Sequence, residues 1–166
     1  MAPNPTGRRH SRADQSYLVV SRSFSSPIEE VWASITESDR TAAWFGPWTG
    51  DPASGTVHVQ LNAEEGAPQE KVRILQCDAP RQLVLETGQD PDGWHMELDL
   101  IQREPTEVTL ELSHRLSDPE MASQVGPGWE FYLDRLVAAE SGNDPLEVQF
   151  DAYYPAQAQY YRELFL

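Results

Sequence analysis

Thr106-Glu107-Val108-Thr109-Leu110-Glu111-Leu112-Ser113-His114-Arg115, followed after a proline-containing turn by Gly128-Trp129-Glu130-Phe131-Tyr132-Leu133-Asp134-Arg135-Leu136, is the stretch that decides the fold. The first run alternates apolar and polar residues, the period of a half-buried strand. In the second and the residue that follows it, Trp129, Tyr132, Leu133, Leu136 and Val137 recur at helical spacing and form one apolar stripe. A single long helix that arrives after a series of strands has one large surface to cover, the apolar face of their sheet. The space between the two is where a ligand can sit.

Working backward from this pair, five strand signals precede or include it after residue 50: Thr56 to Asn62, Gln69 to Asp78, Arg81 to Thr87, Gly93 to Gln102 and Thr106 to Leu116, with a shorter one around Trp48. They are separated by Glu64-Glu65-Gly66-Ala67-Pro68, Ala79-Pro80, Asp90-Pro91-Asp92-Gly93 and Glu104-Pro105. These segments are too short for crossover helices, so the strands are antiparallel and in meander order. Gln15 to Ser25 is a further strand, with Tyr17 and Val19 on one face and Leu18 and Val20 on the other. Ser26 as N-cap, followed by Pro27 at the first helical position, then starts a helix that runs to about Thr36, with Ile28, Val31, Trp32 and Ile35 as its apolar stripe and Glu29 and Glu30 in the first turn. A second short helix, Ser38 to Phe45, is capped by Ser38 or Asp39 and stopped by Gly46-Pro47. Gly126-Pro127-Gly128 reads as a kink or break that positions Trp129.

The expected fold is therefore α+β, an antiparallel sheet of about six or seven strands wrapped around a long C-terminal helix, with two short helices after the first strand. Alternation sorts the sheet into an apolar face (Val57, Val59, Leu61, Val72, Ile74, Leu83, Leu85, Trp94, Met96, Leu98, Leu100, Val108, Leu110, Leu112) and a polar one (His58, Lys71, Arg73, Gln82, His95, Glu97, Asp99, Glu111, Arg115). Residues 1–14 are expected to be disordered, residues 15–141 to form the domain, and residues 142–166 to be a helical extension. That extension carries Tyr160, Tyr161, Leu164 and Phe165 on one connected face. An aromatic patch of this size is expected to be covered, either by its own domain or by a partner subunit in a homodimer.

Composition narrows the function classes. The 166 residues are enough for one domain. The 27 acidic and 12 basic residues give a formal charge of −15. Arg8, Arg9 and Arg12 precede the first acidic residue, so the remaining 9 basic against 27 acidic residues leave −18 on the chain from Asp14 onward. A field of that sign repels phosphate backbones and anionic lipid headgroups, which argues against nucleic-acid and membrane partners. One cysteine, Cys77, rules out an internal disulfide framework and a multi-thiolate zinc site. No secretory signal and no bilayer-length apolar run is evident, so a cytoplasmic location is expected.

The order strand, two short helices, about six strands and a long C-terminal helix resembles the helix-grip fold of the START and birch-pollen-allergen superfamily (SRPBCC). Within it the chain is most similar to the family like the C-terminal domain of the activator of the 90-kDa heat-shock-protein ATPase. The residues that carry the resemblance are Ser25-Ser26-Pro27-Ile28-Glu29-Glu30-Val31-Trp32, Trp44-Phe45-Gly46, Asp78-Ala79-Pro80-Arg81-Gln82-Leu83-Val84-Leu85, and Gly128-Trp129 with Asp134-Arg135-Leu136. They span about Gln15 to Ala139. The paired glycines common before the third strand are represented only by Ala53-Ser54-Gly55. The resemblance implies a cavity between sheet and helix that in relatives binds lipids, sterols, polyketides or aromatic compounds, and occasionally hosts cyclase, dehydratase or hydrolase chemistry.

The expected ligand-lining residues are Trp44, Trp48, Val59, Ile74, Gln76, Trp94, Met96, Leu110, His114, Trp129, Tyr132 and Leu133. His114 continues the inward row Val108, Leu110, Leu112, where an imidazole can bond a ligand or act as a base; a core histidine satisfied by a neighbour has the same pattern. Gln76 follows Val72 and Ile74 inward. His95, Glu97 and Asp99 share an outer strand face at a spacing that can present metal ligands, though a solvated face looks identical. Cys77 reads as a small buried or half-buried residue. No nucleophile elbow, phosphate-cradling loop or dinucleotide fingerprint is present, so no catalytic residue, cofactor or metal is assigned. The expectation is a binder of a small hydrophobic or aromatic molecule, lipid-like or polyketide-like. The alternatives are a cyclase or hydrolase using the same cavity, and a co-chaperone-like protein-interaction module.

Overall fold

The computed structural model describes residues 3–88 and 93–166. Strands β1 (Arg8–Arg12), β2 (Gln15–Phe24), β3 (Trp48–Thr49), β4 (Thr56–Gln60), β5 (Gln69–Asp78), β6 (Gln82–Thr87), β7 (Trp94–Glu104) and β8 (Glu107–Leu116) form one antiparallel sheet. Their order is β1-β2-β8-β7-β6-β5-β4-β3, so the meander from β3 to β8 closes against the first long strand. Helices α1 (Ile28–Thr36) and α2 (Ser38–Thr41) lie between β2 and β3; α3 (Ala122–Glu140) follows β8, and α4 (Ala158–Leu164) lies near the C-terminus. The α+β helix-grip architecture is as expected, with eight strands instead of six or seven. The Asp90-Pro91-Asp92 turn lies outside the described residues.

Several local readings are corrected. Ser26 does not cap α1: Pro27 precedes the helix, and its carbonyl accepts from Glu30 and Val31. Ser38 does not cap α2 either. Its hydroxyl donates to the Trp48 carbonyl (2.7 Å) and accepts from the Trp48 N–H (2.8 Å), which ties α2 to β3. Helix α3 begins at Ala122, so Pro127 lies within it and does not break it. Gly126 is needed there because a Cβ would fall 2.3 Å from the Tyr161 ring of α4.

Residues 8–12, expected to be disordered, pair with β2 from Arg8↔Val19 to Arg12↔Gln15. The cause lies on both faces of β2. Leu18 and Val20 enter the core, while Tyr17 and Val19 are apolar on the other side and are buried. The Arg12 guanidinium lies 4.4 Å over the Tyr17 ring. The segment before β1 is latched as well. Glu130 of α3 is 1% exposed and bonded to Arg22 (3.0 Å), the Thr6 N–H (2.6 Å) and the Thr6 hydroxyl. A buried carboxylate left without such partners would cost several kcal/mol, so these donors decide where the N-terminal segment runs.

The tail completes the latch. Tyr161 is fully buried and its hydroxyl accepts from the Gly7 N–H (3.0 Å), while Tyr160 donates to the Gly7 carbonyl (2.7 Å) and Gln157 to that of Pro3 (2.9 Å). Phe165 is buried too, Leu164 is half-buried, and Tyr160 remains exposed. Tyr161 and Phe165 of the extension are thus covered within the same chain, Tyr161 against α3 and the N-terminal segment.

The concave side of the sheet carries two packed clusters. The larger joins Leu18, Val20, Leu110 and Leu112 to Trp129, Leu133 and Leu136 of α3. The smaller is Val57, Val59, Leu61 and Val72 at the β4–β5 end. Between them Phe45, Ile74 and Leu85 touch both clusters and are only half-buried.

Candidate ligand site between the sheet and the long helix

Strand pairing builds the floor of the site as a row across the concave face. The register Ile74↔Leu85, Leu85↔Met96, Met96↔His114 and His114↔Leu18 places these five side chains in line. Burial grades along the row: Leu18 and His114 are sealed, Met96 is 5% exposed, and Leu85 and Ile74 are half-buried. The roof comes from α3 and the turn after α2. Phe45 stacks on Trp129 (5.9 Å between centroids, 9° between planes), and Tyr132 lies 4.8 Å from Phe45 and 5.9 Å from Trp129. The Tyr132 hydroxyl donates to Glu64 (3.3 Å), which pins the β4–β5 connection to α3. Burial and the adjacent Glu64 raise the Tyr132 phenol above its ordinary range, so it stays a neutral donor.

His114 sits at the closed end of the row. The Trp129 indole N–H donates to its Nδ1 (2.9 Å), so the imidazole proton is on Nε2. Nε2 has no hydrogen-bond partner among the described residues. Burial pushes the His114 pKa down to about 3, with a smaller contribution from His95, and the ring is neutral at physiological pH. The Trp94 ring lies 4.8 Å from it, inclined at 60°, and Trp94 is 38% exposed. One side chain therefore separates the imidazole from solvent on that side.

The other expected lining residues fall into distinct groups. Leu110 and Leu133 are present at the interface but fully packed. Val59 belongs to the smaller cluster, opposite Trp48. Trp44 and Trp48 spend their indole N–H groups on the carbonyls of Ser34 (2.8 Å) and Thr36 (3.0 Å), so their polar edges close the end of α1. Gln76 is a correction. The register shifts between Ile74 and Gln76, which turns Gln76 to the outer face, where it donates to Gln82 (2.8 Å). The same shift moves Cys77 onto the inner row with Leu83, but beyond the covered area, so it is exposed instead of buried. Phe45 and Leu85, which are not in the expected lining set, also line the candidate site. Phe45 has a signal in Trp44-Phe45-Gly46, and Leu85 in its alternation, but only the fold brings them together.

Among the described residues the interface between the sheet and α3 is largely packed, with Phe45, Ile74 and Leu85 half-buried. Two hollows among the described residues lie away from Val59, Ile74, Trp94, Met96, Leu110, Trp129 and Leu133, along which a cavity is expected. One, of about 380 Å³, is lined by Pro3, Thr6, Arg22 and Asp134; the other, of about 210 Å³, lies on the convex face under Arg8, His10 and Arg12. On that convex face His95 is held between Glu86 (2.8 Å) and Glu97 (2.9 Å), and Glu97 also accepts from Arg12. Burial works against ionised Glu97, but the His95 and Arg12 hydrogen bonds outweigh it and lower its pKa, while burial raises that of Asp99. Of the three residues whose spacing suits metal ligands, His95 and Glu97 are thus engaged in a hydrogen-bonded ionic network, and Asp99 accepts from the Gln82 amide (2.8 Å).

The family model described as Activator of Hsp90 ATPase homolog 1-like protein matches residues 25–140. CalU16 from Micromonospora echinospora superposes with a TM-score of 0.75 at 24% identity, over 98% of this chain and 97% of that one. A protein encoded by BPP1335 of Bordetella parapertussis gives a TM-score of 0.70 at 23% identity, over 100% and 95%. DynU16, of the dynemicin biosynthetic locus, gives 0.66 at 20% identity, over 78% of this chain and 49% of that one. No curated protein matches. At these identities the structural likeness establishes a shared fold. Among the described residues, no helix is long and apolar enough to cross a membrane.

Proposed function

We propose that this chain, which belongs to the family of activator of Hsp90 ATPase homolog 1-like proteins, binds a small apolar or aromatic molecule between its sheet and α3. The observation that carries the reading is the division of the concave face into two packed clusters with Phe45, Ile74 and Leu85 half-buried between them. An apolar surface left part-open inside a groove is where an apolar ligand gains most from leaving water, at about 25 cal/mol per Å². Aromatic side chains on α3 and the turn after α2 supply faces for a flat molecule to stack on. The origin of DynU16 in a biosynthetic locus is compatible with a small organic ligand of polyketide-like kind.

Because Leu110, Leu133 and Met96 are packed, binding works by displacing the rim, Trp94 and Tyr132, and leaves the core in place. A neutral dye, N-phenyl-1-naphthylamine, tests this. Saturable fluorescence enhancement at one dye per chain is expected for the native protein, with loss in Leu85→Glu, which buries a charge beside the dye. No saturable binding, or binding unaffected by that substitution, would refute the site.

A further inference from the structure

The site contains one donor that the fold leaves idle. His114 is fully buried, its Nδ1 is taken by the Trp129 indole at 2.9 Å, and its Nε2–H has no partner among the described residues. A buried donor of this kind is uncommon in a native structure and points to a missing acceptor. The side chains beside it in the sheet, Met96 and Leu18, carry no strong acceptor. The Trp94 ring, inclined at 60° and 4.8 Å away, carries no acceptor oxygen, and a contact with its π face would be a weaker partner than an oxygen.

We propose that His114 Nε2–H donates to a neutral carbonyl-type oxygen on the ligand, so that the molecule bound is a flat aromatic ketone or quinone and neither a plain hydrocarbon nor a carboxylate. This rests on the proposed ligand site and specifies its chemistry. The selection has three parts. The occupied Nδ1 cannot accept from a ligand hydroxyl or amide, so His114 presents a donor alone. A ligand carboxylate would enter an aromatic enclosure whose polar rim carries Glu64, with no cation among the lining residues Phe45, Ile74, Leu85, Trp94, Trp129 and Tyr132. A carbonyl oxygen, by contrast, satisfies the orphan donor without bringing a charge. Displacement of the Trp94 indole uncovers the imidazole on its exposed side.

Three rigid probes of nearly equal size separate the cases: fluorenone, fluorene and fluorene-9-carboxylate, titrated by calorimetry against the native protein and His114→Leu. Fluorenone should bind the native protein about tenfold more tightly than fluorene, the worth of one hydrogen bond, and His114→Leu should abolish that preference. Fluorene-9-carboxylate should bind most weakly. Equal affinity for fluorenone and fluorene, a preference that survives in His114→Leu, or the carboxylate binding tightest would overturn the inference while leaving the apolar site intact. Binding of none of the three would remove the site itself and the inference with it. Should His114→Leu fail to fold, the native protein suffices: the His114 Nε2 proton should move downfield on adding fluorenone and not on adding fluorene, and identical responses would be the contrary result.

Discussion

Replacing His114 by asparagine should change how stability depends on pH more than it changes stability at neutrality. Asparagine keeps an acceptor at the place of Nδ1 for the Trp129 indole but cannot titrate. In the native protein burial holds the His114 pKa at about 3, against about 6.5 for an unfolded chain. Between those values the unfolded state binds the proton and the folded state does not. Stability therefore rises with pH across that window and falls on acidification, by about 1.4 kcal/mol per pH unit once below the unfolded value. At pH 5 the histidine costs the native protein about 2 kcal/mol relative to pH 7.5. The amide introduced by His114→Asn adds an offset from its own buried donors, but that offset does not vary with pH. Glu97 and Asp99 titrate in both proteins and cancel in the difference. Urea titrations followed by tryptophan fluorescence at pH 7.5, 6, 5 and 4.5 give the comparison directly. Native stability should approach, and then drop below, that of His114→Asn as the pH falls. Parallel curves would show that the fold accommodates a protonated His114 and would refute the neutral, Nε2-protonated assignment.

Truncation after Gly142 removes Tyr161 and Phe165, each worth about 1.5 to 3 kcal/mol on burial, together with the bonds to Gly7 and Pro3. A lower melting temperature at unchanged mass by light scattering is expected, because these contacts lie within one chain; a dimer falling to monomer would assign the tail to a partner. Gly126→Ala sets a methyl 2.3 Å from the Tyr161 ring and should destabilise by about 1 to 3 kcal/mol in urea unfolding. An unchanged midpoint would mean that α4 is held loosely.

Much of the fold is legible in the sequence because alternation and helical spacing are direct consequences of burial. Val108, Leu110, Leu112 and His114 fall on the concave face as their period requires, and Leu133 and Leu136 meet them from α3. What escapes is set by tertiary context. Arg8–Arg12 has no apolar residue of its own, and its pairing is announced only by the apolar Tyr17 and Val19 on the second face of β2. Gln76 reads as inward because a one-residue shift in a ladder leaves no mark in its composition. Gly126-Pro127-Gly128 reads equally as a kink or a break, and only the fold places Pro127 inside α3. At the site, Trp129 and His114 each read as inward, but their hydrogen bond depends on where α3 crosses β8, which no local pattern encodes.

The most direct test of the central claim is a two-dimensional NMR titration of the native protein with N-phenyl-1-naphthylamine, following the five indole N–H signals. Saturable shifts at Trp94 and Trp129, with Trp44 and Trp48 less affected because their N–H groups face the α1 carbonyls while that of Trp129 faces His114, are the predicted result. Saturable binding with those two indoles unmoved, or no binding at all, would contradict a ligand site between the sheet and the long helix.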